Sequence, residues 1–437
     1  MKSILRIVLF CISIIFISTN AQAALQLELT QGIAGALPIA IPLFAGDTNS
    51  QGSPNNLTDI IRNDLKNSGR FKLFNNMTQN PTSLSQVDFK YWQDHKIDNL
   101  VLGSVRPSSG NYEVNVSLLD IFKGISNPSS SMIYNDIFSV KTRDFRRLAH
   151  KISDQIYEQL TGDKGIFSTR IAYVLVEQNP GQKARYKLMV ADADGYDPRA
   201  ILISTEPIMS PSWSPDSKQI AYVSFENRRA GVYISNIASG QRQLVSNLPG
   251  INGAPAFSPD GQKLAMALSN TGQLKIYVMD LATHDLKKIT DGSSIDTEPR
   301  WSPDGSAIIF TSNRGGGPQI YRLTLGDGHI QRLTFDGSYN ATASYTPDGK
   351  QIVFLHLENK LYNVAVQDLS SGNVSFVTRN TDDSSPSIAP NGKMVLYAIT
   401  EGYKGILGMS SIDGAVKLRL PSPEGNVRDA VWSGFSS

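Results

Sequence analysis

The chain has 437 residues, of which 40% are apolar and 18% charged, a composition typical of a folded globular protein rather than a disordered or coiled-coil chain. Its 41 basic residues nearly balance its 39 acidic residues, which gives no electrostatic footprint for nucleic acid or an anionic membrane. The length allows two or three domains with cores of their own.

The chain begins with the pattern of a secretory signal peptide. Lys2 and Arg6 precede an apolar run over residues 7–17, and Ala23 ends a small-residue motif of the kind found before cleavage sites. We therefore predict a signal peptide over residues 1–23, cleavage between Ala23 and Ala24, and an exported, soluble protein.

Two alternatives to cleavage are weaker. An uncleaved anchor would have to span about 30 Å of hydrocarbon, for which the apolar run is too short. A lipoprotein signal at Cys11 is disfavoured by the bulky Phe10 before it. Because Cys11 is the only cysteine, the mature chain can form no disulfide, thiolate metal site or cysteine nucleophile.

Residues 24–35 form a separate N-terminal segment. Leu25, Leu27 and Leu29 alternate with polar residues, which predicts a half-buried strand. The spacing favours an edge strand of the chain's own first domain. The alternative is an arm that adds a strand to another protein's sheet.

Residues 36–162 are predicted to form an α/β domain, because strand-like and helix-like patterns alternate there. Strands are expected at residues 37–44, 100–103 and 112–119. A helix is expected to open at Ser53-Pro54, to place Leu57, Ile60, Ile61 and Leu65 on one face, and to stop near Gly69.

A final helix of this domain is predicted from Thr142, its expected N-cap, to Gly162. Its inward face contains the apolar residues Phe145, Leu148, Ile152, Ile156 and Leu160. The domain boundary then falls near residues 162–165.

The second half of the chain consists of sequence repeats that are spaced 44 residues apart, with one spacing of 43. The same position is occupied in turn by Trp213, Phe257, Trp301, Tyr345, Ile388 and Trp432. A Ser-Pro-Asp-Gly turn or a variant of it follows in most copies, and each unit reads as four short strands. Tandem four-stranded units of this length are propeller blades.

The two ends of the repeat region determine the number of blades. Residues 170–174 match a second strand without a first one, and residues 430–433 match a first strand with nothing after it. We therefore predict a six-bladed β-propeller over residues 168–437, closed by its C-terminal strand. The protein should be mainly β overall, with an α/β domain before the propeller.

Six variable segments are expected just before the inner strands, around the mouth of the propeller channel, where a rigid scaffold usually carries function. They are residues 208–210, 251–254, 296–298, 340–342, 383–385 and 427–429. Because Asn, Ser, Thr, Gly and Ala dominate them, we expect a partner to be bound there by shape and neutral hydrogen bonds.

No catalytic pattern is present in the sequence. There is no Gly-x-Ser-x-Gly elbow, phosphate-binding glycine loop or His-Glu-x-x-His motif, and the five histidines lack ligand spacing. The acidic residues 192–197 fit no EF-hand register and are interpreted as a turn. We expect no enzyme, cofactor or metal site.

Several junctions resemble the TolB family of the periplasmic Tol-Pal system over essentially the whole mature chain. They include Pro38-Ile-Ala-Ile41, Asp64-Leu-Lys-Asn-Ser-Gly-Arg-Phe71, Gln159-Leu-Thr-Gly-Asp-Lys-Gly-Ile-Phe-Ser-Thr-Arg-Ile-Ala-Tyr-Val174, Asn252-Gly-Ala-Pro-Ala-Phe-Ser-Pro-Asp-Gly261 and Thr297-Glu-Pro299. The resemblance implies a non-enzymatic periplasmic adaptor. Such an adaptor links the outer-membrane lipoprotein Pal to the inner-membrane protein TolA, for outer-membrane integrity and invagination at cell division.

The resemblance also implies two binding sites. The arm that binds the periplasmic C-terminal domain of TolA would consist of Ala24, Leu25, Gln26, Leu27, Glu28, Leu29, Thr30, Gln31, Gly32, Ile33, Ala34 and Gly35. The propeller mouth that binds Pal, the peptidoglycan-associated lipoprotein, would include Ile251, Asn252, Gly253, Ala254, Thr297 and Glu298. Some members have a histidine at the position of Ile251, so the interface here is expected to be more apolar.

The partners implied are therefore Pal and TolA, with no nucleic acid, no membrane insertion and a monomeric protein. Two other interpretations remain open on the residues alone. One is a propeller that binds a glycan or a small molecule, and the other is the remnant of a propeller hydrolase, which the missing nucleophile disfavours.

Overall fold

The computed structural model describes residues 35–47, 56–178, 180–379 and 381–435, together with the backbone of residues 26–29. The predicted signal peptide and most of the predicted arm lie outside the described residues. The chain forms an α/β domain followed by a six-bladed β-propeller, which confirms the predicted fold.

Before the propeller, the described residues form six strands and four α-helices. The strands are β1 (Gln26–Leu29), β2 (Leu37–Ala40), β3 (Phe71–Leu73), β4 (Asn99–Ser108), β5 (Asn111–Asp120) and β6 (Met132–Val140). The helices are α1 (Leu57–Asn67), α2 (Phe89–Asp94), α3 (Ile121–Ser126) and α4 (Phe145–Thr161). Five of the strands form one sheet in the order β3-β2-β4-β5-β6, with β2 parallel to both of its neighbours.

Helices α1 and α4 cover this sheet, and their apolar faces form its main core. Ile61 and Leu65 of α1 and Ile152 and Ile156 of α4 are all fully buried there, as their spacing predicts. None of the helices in the described ranges is long and apolar enough to cross a membrane.

The helix ends differ in part from expectation. The side chain of Asn56 caps α1 by accepting a hydrogen bond from the Asp59 amide, while Ser53-Pro54 lies outside the described residues. Thr142 is not the cap of α4, because a 3-10 turn over Thr142–Asp144 precedes the helix. Gly162 ends α4 as predicted, with φ of +77°.

The propeller consists of strands β7 to β30, four to a blade. In chain order they are β7 (Arg170–Glu177), β8 (Arg185–Asp192), β9 (Arg199–Ser204), β10 (Ile208–Trp213), β11 (Gln219–Ser224), β12 (Gly231–Asn236), β13 (Arg242–Ser246), β14 (Asn252–Phe257), β15 (Lys263–Leu268), β16 (Lys275–Asp280), β17 (Leu286–Lys288), β18 (Asp296–Trp301), β19 (Ala307–Gly315), β20 (Gly317–Thr324), β21 (Ile330–Arg332), β22 (Asn340–Tyr345), β23 (Gln351–Glu358), β24 (Leu361–Asp368), β25 (Val374–Phe376), β26 (Asp383–Ile388), β27 (Met394–Glu401), β28 (Lys404–Ser411), β29 (Val416–Arg419) and β30 (Asn426–Trp432).

The C-terminal strand closes the propeller. Strand β30 is the innermost strand of blade 1 and pairs antiparallel with β7, while blades 2 to 6 are continuous in the chain and begin with β10, β14, β18, β22 and β26. The amide of Ser433 donates to the Arg170 carbonyl at 2.8 Å, which extends the junction beyond the ladder. The predicted closure is therefore confirmed.

The repeated aromatic residues tie neighbouring blades together. The indole nitrogen of Trp301 in blade 4 donates to the Ala256 carbonyl of blade 3 at 3.1 Å. In the same way, the indole nitrogen of Trp213 in blade 2 donates to the Val431 carbonyl of blade 1 at 3.4 Å. These residues are structural, as the repeat indicates.

Strand β1 lies in a different place from the one that the spacing favours. It pairs antiparallel with β29, the outermost strand of blade 6, with Leu27 opposite Leu418. The expectation of an edge strand in the α/β domain is therefore wrong. Alternation specifies a half-buried strand, but it does not specify which open sheet edge accepts it.

Candidate functional sites at the propeller mouth and the domain interface

Every innermost strand of the propeller contains the same β-bulge. The ladder to the second strand shifts by one residue near the start of each inner strand, for example between Gly253 and Ala256. The bulged residue is the third residue of five of these strands and the fourth of β30, and it has a φ of 47° to 55° in all six blades. These residues are Ser210, Ala254, Glu298, Thr342, Ser385 and Asp429. We call these six residues the bulge ring.

The bulge ring explains why proline recurs in the inner strands. Pro211, Pro255, Pro299 and Pro386 each follow a bulge-ring residue, at the point where the ladder is interrupted. A residue without an N–H is tolerated there because no ladder hydrogen bond is lost. The variable segments, predicted just before the inner strands, therefore lie at the start of those strands: they form the first three residues of five strands and the second to fourth residues of β30, with Ile251 alone preceding its strand.

The residue two positions before each member of the bulge ring is buried, contrary to the expectation of a polar binding surface. Asn252 has no exposed surface, and its side chain accepts hydrogen bonds from the Ser246 hydroxyl at 2.6 Å and the Leu248 amide at 3.1 Å. The equivalent residues Asp296 and Asn340 are also fully buried. Asn252 therefore holds the preceding loop and cannot offer its side chain to a partner.

The other predicted mouth residues divide between surface and core. Ile251 is 53% exposed, and its amide donates to the Ser269 hydroxyl at 2.7 Å. Gly253 and Thr297 are half-buried. Ala254 instead packs into an apolar cluster between blades 3 and 4 that includes Phe310.

One exposed apolar residue at the mouth, Ile295, was missed in the sequence, whereas Met209 lies in the predicted segment 208–210. Ile295 lies 44 residues after Ile251, is 46% exposed, and repeats its contact by donating an amide hydrogen bond to Asn313 at 2.7 Å. Met209 is exposed on blade 2. Together with Ile251 they form an apolar arc across blades 2 to 4. The 44-residue register, applied to Ile251, could have identified Ile295.

Three charged residues of the inner strands interact electrostatically. Glu298 and Asp429 lie in blades 4 and 1, on opposite sides of the ring, and Arg300 is close enough to interact with both. Burial lowers the pKa of Arg300, and the two carboxylates act against that shift.

In β29, the strand that pairs with β1, the direction of each backbone amide can be assigned from the ladder to β28. The Leu420 amide donates to Leu407 of β28, so amides of the same parity in β29 point inward. The amides of Lys417 and Arg419 therefore point outward, towards β1, which pairs with both residues.

A charged cluster joins the two domains at helix α4. Arg146 donates through Nε to the Asp192 carboxylate at 2.7 Å and through Nη2 to Asp194, both in the first blade. One turn further along the helix, His150 Nδ1 lies 2.8 Å from the Asp64 carboxylate of α1. We call these five residues the interdomain cluster.

The acidic segment over residues 192–197 does form the predicted turn, but its carboxylates also connect the domains. Atoms of Asp64, His150 and Asp194 that could bind a metal lie within 4.8 Å of one another. Arg146 already supplies a cation to Asp194, so we assign no metal to this cluster.

Asp154, one further turn along α4, holds the linker between the domains. It accepts hydrogen bonds from the amides of Phe167 at 2.7 Å and Ser168 at 3.1 Å. Burial raises the pKa of Asp154 to about 6.

A cavity of about 190 Å³ lies beside this contact, between the two domains. Its walls are mainly apolar and include Tyr157, Phe167, Met409, Leu418, Leu420 and Trp432. Leu418 belongs to β29, so the cavity borders the strand that hosts β1.

The fold and these sites define a two-domain propeller protein with an open mouth and an N-terminal strand added to its outer edge. Two family models cover this architecture: the TolB amino-terminal domain matches residues 25–126, and the TolB beta propeller domain matches residues 157–436. The chain belongs to the TolB family and is a component of the Tol-Pal system.

Individual relatives agree over the full length. The chain is 57% identical to the Tol-Pal system protein TolB of Coxiella burnetii over 433 residues, which cover 98% of both chains. It is 57% identical to a Legionella pneumophila TolB over 96% of this chain and 97% of that one. The crystal structure of TolB from Acinetobacter baumannii matches with a TM-score of 0.84 and 41% identity, over 94% of this chain and all of that one.

Proposed function

We propose that this protein is a non-enzymatic periplasmic adaptor, which binds Pal at the propeller mouth and the periplasmic C-terminal domain of TolA through the arm of residues 24–35. In this role it would contribute to outer-membrane integrity and to invagination during cell division. The observation that carries the proposal is the pairing of β1 with the open edge of blade 6. Membership of the Tol-Pal system supports it.

The mouth supports the proposal with an open, partly apolar surface. A Cβ atom built on Gly253 would have only Ile251 Cγ2 nearby, at 3.8 Å, so the backbone here is accessible to a partner. The apolar arc of Met209, Ile251 and Ile295 adds side chains that can be buried on binding. We infer a contact made by shape and apolar burial, with Asn252 acting indirectly.

The arm supports the proposal because the same backbone groups can serve only one sheet at a time. While β1 pairs with β29, its ladder groups are occupied by the chain's own propeller. Pairing with an edge strand of TolA requires their release. If Pal binding favours the docked arm, TolA binding must weaken Pal binding by the same factor.

Deletion of residues 24–35 tests the two sites separately. We expect calorimetry with the mature protein to show that the deletion abolishes binding of the TolA domain and leaves Pal binding intact or tighter. TolA binding that survives would remove the arm from the proposal. A large loss of Pal affinity would show that the arm is structural.

A substitution in the host strand tests arm exchange without removing the arm. Lys417→Pro removes one outward amide of β29 while the inward ladder to β28 is kept. Losing one hydrogen bond of about 1 kcal/mol from the docked state should tighten TolA binding several-fold. Lys417→Ala, which keeps the amide, is the control, and equal affinities for the two variants would contradict exchange.

A further inference from the structure

The bulge ring is not uniform in charge. Four of its six residues are Ser, Ala or Thr, and the two acidic members are Glu298 and Asp429. The two carboxylates form different hydrogen bonds, which separates their roles.

Asp429 connects three blades. Its Oδ2 accepts a hydrogen bond at 3.1 Å from the amide of Ser210, the bulge-ring residue of blade 2. Its Oδ1 accepts one at 3.2 Å from the hydroxyl of Ser385, the bulge-ring residue of blade 6. Asp429 itself lies on β30, the strand that closes the ring, so one side chain joins this strand to both neighbours at the mouth.

Glu298 connects only two blades. Its Oε2 accepts from the amide of Thr342 in blade 5 at 2.9 Å and from the hydroxyl of Thr311 in its own blade at 2.7 Å. Asp429 and Glu298 therefore share one feature: the carboxylate of one bulge-ring residue accepts a hydrogen bond from the amide of the next bulge-ring residue. Such amides are left outside the ladder by the bulge and need an acceptor.

We propose that Asp429 is a positioning residue for partner binding at the mouth: it holds the bulges of blades 1, 2 and 6 in one arrangement and does not itself contact the partner. Both of its oxygens are occupied within the ring in the unbound protein. Non-glycine residues with positive φ persist only where the surrounding contacts hold them, because the conformation itself is unfavourable. Without Asp429, Ser210 would move and the mouth would lose its preformed shape.

This inference rests on the proposed function for its binding readout, so its test has a second readout that needs no partner. Hydrogen exchange of the free protein should show faster exchange of the Ser210 amide in Asp429→Ala than in the wild type. The bulge of blade 3, at Ala254, should be unchanged, because Asp429 does not contact it. Unchanged protection of Ser210 would overturn the inference whether or not Pal binds.

The binding readout uses the Pal periplasmic domain. We expect Asp429→Ala to weaken binding at least tenfold, and Asp429→Asn to stay within about threefold of the wild type, because an amide can accept from Ser210 and donate to Ser385. Equal losses for both variants would show that the charge of Asp429, towards the partner or towards Arg300, matters and its hydrogen bonds do not, and would overturn the positioning role. An unchanged affinity for Asp429→Ala would overturn it too.

Ser385→Ala covers the case in which Asp429→Ala does not fold. It removes only the blade 6 hydrogen bond and should weaken Pal binding less than tenfold but measurably. An affinity equal to that of the wild type would contradict the proposal. If the wild-type protein itself fails to bind Pal, the proposed function is wrong, and the exchange measurement still decides the role of Asp429.

Discussion

His150 is predicted to carry a proton at neutral pH and to lose it only in alkaline solution. It is 2% exposed and lies between Asp64 and the blade 1 turn that carries Asp192 and Asp194. Burial alone would lower the pKa of His150, but these carboxylates raise it from 6.5 to about 10. Arg146, on the same helix, is the other cation of the cluster.

The raised pKa of His150 determines how much its charge stabilises the fold and how that stabilisation changes with pH. Because the folded-state pKa is raised, the stabilisation is complete below pH 6.5 and is lost as the pH rises towards 10. A difference of this size corresponds to at most about 5 kcal/mol, lost at about 1.4 kcal/mol per pH unit between these limits.

The variant His150→Asn isolates the charge, since its amide can still donate to Asp64 but cannot be protonated. The helices of the described residues all lie in the α/β domain, so urea unfolding followed by ellipticity at 222 nm reports this domain. The wild type should exceed the variant in stability by several kcal/mol at pH 6.5. The difference should shrink steadily and approach zero near pH 10. A difference that stays constant across this range would refute a protonated His150.

Two further predictions concern the propeller. Thr297→Arg should weaken Pal binding by a few kcal/mol in calorimetry with little change in melting temperature. Ala254→Glu should weaken binding and also lower the melting temperature, because Ala254 packs against the cluster around Phe310. Unchanged affinity in both variants would place the site elsewhere. Burial raises the pKa of Asp383 to about 6, so the stability it contributes is complete below pH 3.8 and is lost as the pH rises through 6. Asp383→Asn should therefore match the wild type at pH 3.5 and exceed it by up to about 3 kcal/mol at pH 7.5, and denaturant unfolding that shows no gain at pH 7.5 would contradict this assignment.

The sequence determined the propeller, its six blades and its closure, because each depends on local or periodic patterns. Hairpins between successive strands need only short-range signals, and the register from Trp213 to Trp432 repeats them in order. The apolar face and the glycine stop of α4 were predictable for the same reason. The repeat could also have identified Ile295, which lies one 44-residue period after Ile251.

The features that depend on contacts between residues far apart in the chain could be learned only from the tertiary structure. Asp64 and His150 are 86 residues apart in the chain, and their pairing depends on how α1 and α4 pack. Asn252 carries the polarity of a surface residue, yet its side chain is fully buried and satisfied by hydrogen bonds. The sequence could not predict which sheet edge accepts β1. Any unpaired edge offers the same backbone groups, and alternation in the sequence cannot distinguish between edges.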